Sequence, residues 1–384
     1  MASSLNSTQK IDPSSRVTII DLMRFLSIFL VMGLHFFMSG ASKGYSADVW
    51  SWIARIFSNG TYGVTSFFVV SGFVITQMLV GETREFSSLD LKSFYVKRTA
   101  RLFPLLILIL IVGLFILIFH PQNDYPMSLC YRGITSRFGW DFWTSIFTFT
   151  FNWFILFKHQ DVSFHWGVLW TLAVEEQFYF LYPLVIKLLK YRERVVIFLF
   201  AVLLSGPLFR FGVFLWMPRN FLMSSIASFS VFDQLAVGAL LYFFLRRMEP
   251  SFAEKPWLSY FFLMAGLGIW LRVYFTTSTV DTGQLILAPT CLAIGCAFII
   301  LGGIHIKALS HPLWKTLSKP GQWSYGAYLW HVTVLFLLWP LLPSVGVMAP
   351  VIFYLTVGLI SYASFRWFEK PANRFIRRFF GLKI

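Results

Sequence analysis

Long apolar stretches alternate with short, mostly basic segments along almost the entire chain. Ten of these stretches contain 18 to 22 residues, which is the length that an α-helix needs to cross the hydrocarbon core of a bilayer. They cover residues 17–37, 62–80, 102–119, 169–189, 195–216, 226–245, 257–275, 285–304, 325–342 and 347–367. The pattern predicts an all-α polytopic membrane protein with about ten transmembrane helices.

A further aromatic stretch, residues 142–157, is short and contains Thr and Asn, so its pattern leaves open whether it crosses the membrane. The distribution of Lys and Arg distinguishes the topologies, because cytoplasmic loops carry the excess of basic residues. If the N-terminus is cytoplasmic and this stretch does not cross, about 23 of the 32 basic residues lie inside and about 7 lie outside. We therefore predict cytoplasmic termini and a re-entrant or interfacial segment at residues 142–157.

Composition supports the same class of protein, since 57% of the 384 residues are hydrophobic and only 13% are charged. In such a protein the net charge of +15 indicates basic cytoplasmic loops and contact with anionic lipid headgroups, and not nucleic-acid binding. We predict a cytoplasmic tail (residues 1–16), one transmembrane domain (17–370) and a basic cytoplasmic tail (371–384). The first apolar stretch carries charge and exceeds an ordinary signal-peptide core, which indicates a retained helix.

The first apolar stretch contains three ionisable side chains, Asp21, Arg24 and His35. Ionisable groups within a membrane span are costly, so they typically face a bundle interior or a water-filled cavity and mark a functional site. Arg24 and His35 lie about 16 Å apart along a helix, so they cannot touch. An elongated anionic substrate could bind Arg24 near the cytoplasm and reach His35 deeper in the membrane. The alternative is that Asp21 and Arg24 only pair with each other.

A basic cluster at the start of the third apolar stretch contains Lys97, Arg98 and Arg101. Arg98 and Arg101 are separated by one helical turn and share a face, and guanidinium groups suit bidentate phosphate binding. These three residues are therefore candidates for binding an anionic co-substrate. The alternative is the ordinary basic flank of a membrane span.

The fourth stretch contains Glu175, Glu176 and Tyr179. Adjacent helical residues point about 100° apart, which predicts that the two carboxylates face different surroundings. A glutamate in this position could orient a catalytic imidazole or act as a general base. The alternative is the ordinary preference for acidic residues in the first turn of a helix.

Five other polar residues near the ends of apolar stretches are supporting candidates: Ser71, Asp233, Tyr328, His331 and Glu369. The alternative roles are close helix packing around Ser71, a helix cap at Asp233 and a hydrogen-bonded structural histidine at His331. Glu369 also fits a helix end with local ion pairing. The sequence contains no HExxH zinc motif, phosphate-binding loop or serine-esterase motif, so we predict no metal site.

Taken together, these segments resemble the acyltransferase family 3 membrane proteins, which O-acylate bacterial surface sugars and some small molecules. The resemblance covers nearly the whole chain in the right order. The matching segments are residues 21–35 (Asp-x-x-Arg to His), 66–73 (Phe-Phe-x-x-Ser-Gly-Phe), 98–104 (Arg-x-x-Arg to Pro), 170–179 (Trp-Thr-Leu-x-x-Glu to Phe-Tyr), 325–331 and 369–371. Two departures are Met23, where the family usually has Gly, and Thr65, where Asp is common.

The resemblance implies an acyl-CoA co-substrate, often acetyl-CoA, on the cytoplasmic side, with no bound cofactor. It also implies that His35 is the catalytic residue, either as the base that activates an acceptor hydroxyl or as an acyl carrier. Glu175 would then set the imidazole tautomer and stabilise its cation. The basic candidates Arg24, Lys97, Arg98 and Arg101 would bind the CoA phosphates.

The acceptor is less well determined by the sequence. Aromatic residues in the outer segments suit sugar stacking, although Trp belts also mark the membrane interface. We expect the acceptor to be a surface polysaccharide, such as the O-antigen of lipopolysaccharide, with a glycolipid or a secondary metabolite as the alternative. We expect the protein itself to lie in a bacterial inner membrane. A transporter, or a flippase for a sugar-linked lipid, is the rival class, because intramembrane charges also mark translocation pathways. The oligomeric state has no signal in the sequence.

Overall fold

The computed structural model describes residues 13–40, 47–81, 86–119, 139–158 and 164–382. Within these ranges the chain forms helices joined by turns, and no strand occurs. The helices are α1 (Pro13–Met38), α2 (Ala47–Phe57), α3 (Tyr62–Val80), α4 (Leu91–Phe119), α5 (Trp140–Phe147), α6 (Phe151–Phe157), α7 (Phe164–Gly167), α8 (Leu169–Leu189), α9 (Arg192–Trp216), α10 (Phe221–Ile226), α11 (Ser228–Glu254), α12 (Trp257–Thr276), α13 (Thr282–Leu285), α14 (Ala288–Gly303), α15 (Pro312–Ser318), α16 (Ser324–Leu338), α17 (Ala349–Ser364) and α18 (Lys370–Phe379). Most of the predicted tail at residues 1–16 lies outside the described residues.

Seven helical segments of the described chain are long and apolar enough to cross a membrane. They are Thr18–Met38, Trp52–Val80, Leu91–Ile116, Arg192–Trp216, Phe221–Phe252, Trp257–Thr276 and Leu342–Phe379. The other three predicted stretches are also helical. They are not among these seven because α14 and α16 have only 16 and 15 residues, and because α8 contains two Glu and a Lys. The chain is thus an all-α, multi-pass membrane protein, whereas ten crossings and cytoplasmic termini stay predictions.

The ambiguous stretch at residues 142–157 is broken into two short helices, α5 and α6, each about 10–12 Å long and therefore too short to span a bilayer. The break lies at Phe149, whose φ of 56° is in the left-handed region that non-glycine residues rarely adopt. The fully buried Asn152 donates to Ser228 Oγ and accepts from Gln177, which also donates to the Phe149 carbonyl. This arrangement supports a re-entrant or interfacial segment docked on α8 and α11.

Helix α3 lies at the centre of the bundle, in contact with α1, α11 and α14. Glycines allow α3 and α11 to approach closely, because a Cβ atom on Gly72 would lie 2.0 Å from the Leu235 carbonyl oxygen. Reciprocally, a Cβ atom on Gly238 would lie 2.0 Å from the Val69 carbonyl oxygen. Small residues at a crossing of two membrane helices are the expected device for such backbone contact.

Helices α9, α12 and α17 lie at the periphery. Large apolar side chains on them are exposed, among them Ile197, Leu208, Met264 and Leu359. A soluble protein rarely exposes so much contiguous apolar surface, whereas lipid solvates it without cost. The peripheral helices therefore face the lipid, and buried polar residues lie in the bundle interior.

A buried ion pair joins three helices on the side of the bundle formed by α9, α11 and α14. Arg210 Nη2 donates to Asp233 Oδ2 at 2.8 Å, and Thr290 Oγ1 donates to the same oxygen at 2.6 Å. Both charged side chains are 0% exposed, and the Ser230 carbonyl also accepts from Arg210. The prediction of a helix cap at Asp233 is wrong, because α11 begins at Ser228 and Asp233 lies inside it. Asp233 holds helices together instead.

Candidate active site

A cavity with an empty volume of about 800 Å³ lies between α1, α3, α4, α8 and α16. Seven of the residues singled out in the sequence line it: Arg24, Ser71, Arg98, Arg101, Glu175, Tyr179 and Tyr328. They come from five different helices, so the fold gathers residues that are up to about 300 positions apart in the chain. The concentration of charge in one intramembrane cavity is the feature that identifies a functional site.

Arg98 is held by both glutamates of α8. Its Nε donates to Glu176 Oε1 at 2.9 Å and its Nη2 to Glu175 Oε2 at 3.5 Å. The guanidinium also lies over the ring of Tyr179, 4.0 Å from the centroid, in a cation–π contact. Only Glu175 lines the cavity, as the prediction of different surroundings requires, but both side chains are long enough to reach the guanidinium of Arg98.

The carboxylate of Glu175 has a second partner, since Ser71 Oγ donates to Oε1 at 2.8 Å. Ser71 thus links α3 to α8 across the cavity, which adds a polar contact to the helix-packing role considered for it. The two oxygens of Glu175 therefore bind Ser71 and Arg98, and not the imidazole of His35 as expected from the sequence.

The remaining arginines differ in how far their charge is neutralised. Arg24 Nη1 donates to Asp21 Oδ1 at 3.2 Å, so the two residues of α1 form the local pair that their spacing allowed. Arg101 is exposed within the cavity, and no carboxylate of the described chain forms an ion pair with it. Lys97 is half-buried and lies outside the cavity lining. Arg101 is therefore the cation with the most charge available for an anionic ligand.

His35 of α1 meets His331 of α16 in a direct hydrogen bond. His35 Nδ1 lies 2.8 Å from His331 Nε2, and the two rings stack with centroids 5.0 Å apart. On the other side of the second ring, His331 Nδ1 lies 2.6 Å from the Tyr328 carbonyl oxygen. His331 is thus a hydrogen-bond partner of His35, whereas Glu175 binds Ser71 and Arg98.

The hydrogen-bond partners determine the tautomers of the neutral pair. A carbonyl oxygen only accepts, so His331 carries its proton on Nδ1 and presents a lone pair at Nε2. His35 must then donate from Nδ1 to that lone pair. This arrangement places the basic lone pair of His35 on Nε2, and it leaves a hydrogen-bond acceptor ready for the imidazolium that forms when Nε2 takes a proton.

Tyr328 lies between the cavity and the histidine pair. Its hydroxyl donates to the Val168 carbonyl and accepts from Thr171 Oγ1, each at 2.9 Å, while its backbone carbonyl binds His331. Neither histidine is among the described residues that line the cavity, whereas Tyr328 lines it and also binds His331. Thr171 was missed by the sequence reasoning. Thr171 lies one helical turn before Glu175 and two turns before Tyr179, and this shared helix face could have indicated it as a site residue.

Glu369 does not line the cavity but lies behind its α16 wall, in a π-helical turn at residues 365–369, where a Cβ atom on Gly326 would lie 3.0 Å from its Oε1. Its Oε1 accepts from Ser364 Oγ at 3.2 Å. This hydrogen bond is local, at the end of the last apolar helix. The ion pairing considered as the alternative for this residue does not occur among the described residues.

Comparison with known proteins places this arrangement in context. Residues 17–366 match the family described as "Acyltransferase domain". The chain is 29% identical to the peptidoglycan O-acetyltransferase OatA of Listeria monocytogenes, over 95% of this chain and 57% of that protein. It is 27% identical to the O-acetyltransferase OatA of Staphylococcus aureus, over 84% of this chain and 54% of that protein. The chain thus spans a little over half the length of these relatives. No solved structure matches it significantly.

Proposed function

Because this chain belongs to the acyltransferase domain family, we propose that it is a membrane O-acetyltransferase that moves an acetyl group from acyl-CoA to a hydroxyl of a cell-surface carbohydrate. The observation that carries the proposal is the His35–His331 pair beside an arginine-lined intramembrane cavity. Both relatives are named O-acetyltransferases, which supports the reaction type.

The donor binds in the cavity with its phosphates at Arg101 and Arg24. Arg101 supplies charge that no carboxylate of the described chain neutralises, and Arg24 is only partly compensated by Asp21. Arg98 has a different role from the one its motif suggested, because two carboxylates already share its guanidinium. It holds α4 against α8 and keeps the wall of the cavity in place.

The chemistry is general-base catalysis at His35. Its Nε2 takes the proton of the acceptor hydroxyl, the oxygen attacks the thioester carbonyl carbon, and the carbon–sulfur bond breaks. The sulfur leaves as a thiolate and takes the proton back from Nε2, which yields the ester and CoA. Throughout, His331 accepts from Nδ1–H and so stabilises the imidazolium. In the second form of this mechanism, Nε2 itself carries the acetyl group between donor and acceptor.

For the acceptor we propose the glycan of peptidoglycan, on the strength of the name of the Listeria relative. This choice differs from the lipopolysaccharide expected from sequence, although both are surface carbohydrates. The distribution of basic residues supports a donor that enters from the cytoplasmic side.

The test uses detergent-purified protein with radiolabelled acetyl-CoA and soluble peptidoglycan fragments. Wild type should transfer label to the glycan, and His35→Ala should reduce transfer to background while it still binds acetyl-CoA. The matched control is His311→Ala, which removes an exposed histidine far from the cavity lining. Label that accumulates on wild-type protein but not on His35→Ala supports the acyl-histidine form.

Turnover retained by His35→Ala contradicts the proposed role of His35. Absence of both acetyl-CoA binding and turnover in the wild type contradicts the donor, and it directs attention to transport. Flux of a candidate solute into vesicles is then the next measurement.

A further inference from the structure

A second, larger cavity opens towards the lipid on the opposite flank from the active site. It is a groove between α9, α11 and α14, with an empty volume of 1720 Å³. Helix α9 packs on α11 along its length but barely contacts α14, so α11 forms the floor and the other two helices form the walls. Nothing in the acyl-transfer chemistry uses this groove.

The groove is strongly polarised along its length. Arg192 at the start of α9 and Arg247 near the end of α11 line one end, since these two helices run antiparallel. Glu193 lines the same end, which leaves a net positive charge there. The other end is formed by Leu203, Val237 and Ile294 and is wholly apolar among the lining residues described.

The two arginines are available to a ligand. Arg192 Nη2 donates to the Phe243 carbonyl at 2.9 Å, which fixes the side chain and leaves its other donors for an anion. Arg247 is exposed, and the described chain offers it no hydrogen bond or ion pair. A fixed guanidinium beside an exposed one suits a phosphate group, which accepts several hydrogen bonds at once.

The length of the groove matches one leaflet of a bilayer. From Arg192 to Leu203 the α9 wall rises about 16 Å, and half of the hydrocarbon core measures about 15 Å. Exposed apolar side chains such as Ile197, Phe200 and Phe244 continue down the walls and floor from the basic end. A headgroup at the basic end would therefore place an acyl chain along the whole groove.

We propose that this groove is a specific site for an anionic glycerophospholipid, with its phosphate at Arg192 and Arg247 and an acyl chain along α9, α11 and α14. The positive-inside distribution places the basic end in the cytoplasmic leaflet, whose anionic lipids are attracted by clustered arginines. The net positive charge of the lining distinguishes an anionic headgroup from a neutral, zwitterionic one.

Native mass spectrometry of the detergent-purified full chain tests the site with two probes, dioleoyl-phosphatidylglycerol and dioleoyl-phosphatidylcholine. We expect retention of phosphatidylglycerol, and about a tenfold loss of that retention in the double variant Arg192→Gln/Arg247→Gln. The control is Arg194→Gln, which removes one positive charge at the same level of α9 from a side chain outside the lining and is compared with Arg192→Gln alone as well as with the double variant. Equal retention of the two lipids, or an equal loss in the control, overturns the proposal.

A second variant tests the position of the acyl chain without a change of charge. Ala297→Phe fills the groove from the α14 wall and should reduce retention of phosphatidylglycerol, provided that its melting temperature matches wild type. If the variant is unstable, a phosphatidylglycerol with a diazirine in its acyl chain is crosslinked to the wild type. Crosslinks on α9, α11 and α14 support the site, and crosslinks confined to other helices overturn it.

Discussion

At the scale of single residues, His331 determines on which nitrogen His35 is basic. The Tyr328 carbonyl fixes the proton of His331 on Nδ1, and His331 in turn fixes the proton of His35 on Nδ1. A carboxylate in the place of His331 would stabilise the His35 imidazolium through an ion pair. A neutral imidazole stabilises it only through a hydrogen bond. The pair therefore suits a base that must release its proton again in each turnover.

This relation predicts different effects for two substitutions of His331. His331→Leu removes the acceptor for Nδ1–H, so transfer should fall about 100-fold in kcat with little change in the KM for acetyl-CoA. His331→Gln keeps an acceptor oxygen and should recover part of the loss. Steady-state kinetics of both variants, with their pH profiles, provide the measurement. Equal activity of the Leu variant and wild type would show that His331 has only a packing role.

Arg101 permits a second test at the residue scale, directed at donor binding. Arg101→Gln should raise the KM for acetyl-CoA about tenfold or more, because a charge-assisted bond to phosphate is lost. Arg101→Lys should recover only part of the affinity, since an ammonium group lacks the bidentate geometry. Lys97→Gln is the matched control, because Lys97 precedes the cavity on the same helix without lining it. A Lys97 effect as large as that of Arg101 would indicate general surface electrostatics instead.

At the scale of helices, the crossing of α3 and α11 sets the distance across the bundle. Gly238 has no room for a side chain, since an added Cβ would lie 2.0 Å from the Val69 carbonyl oxygen. Gly238→Ala should therefore lower the free energy of unfolding by about 1–3 kcal/mol. Gly268→Ala on α12 is the control, because no atom lies within 4 Å of its added Cβ. Thermal unfolding in detergent compares the melting temperatures of the two variants. Equal melting temperatures would contradict the prediction, because they would mean that α3 and α11 can move apart at Gly238 without loss of stability.

The helices were accessible from the sequence because a membrane span needs only length and apolarity, which are local properties. The contacts between helices were not. His35 and His331 are 296 residues apart, and only the three-dimensional packing of α1 on α16 reveals them as a pair. The shared contact of Glu175 and Glu176 with Arg98 was not accessible either, because long side chains can bend towards one guanidinium although their backbone directions differ.

Asp233 illustrates a second limit of sequence reasoning. Its place near the start of an apolar stretch suggested a helix cap, but the helix begins five residues earlier, at Ser228. Its partner, Arg210, lies inside α9, on a different helix. Buried ion pairs of this kind are recognised only when both partners can be seen, because each residue alone resembles a loop or cap residue.

At the scale of the whole molecule, one end of the bundle carries the residues proposed to bind the donor. The segment that precedes α16 lies against this end, since an added Cβ on Gly321 would lie 2.0 Å from the Asp21 carbonyl oxygen. Asp21 pairs with Arg24 at the cavity, so the loop that contains α15 and the donor arginines are on the same side of the membrane. The side on which this loop lies therefore decides from which compartment the donor enters.

Labelling of single cysteines in intact cells measures that side directly. In a chain whose Cys130, Cys291 and Cys296 are replaced by Ser, we expect Arg219→Cys to react with an impermeant maleimide from outside. Lys315→Cys, an exposed position on α15, should react only after the membrane is permeabilised, because about 23 basic residues favour that side as cytoplasmic. The opposite labelling pattern would place the donor arginines outside, where acyl-CoA is not supplied. It would contradict acyl-CoA as donor while leaving the helix packing untouched, so topology and chemistry are tested separately.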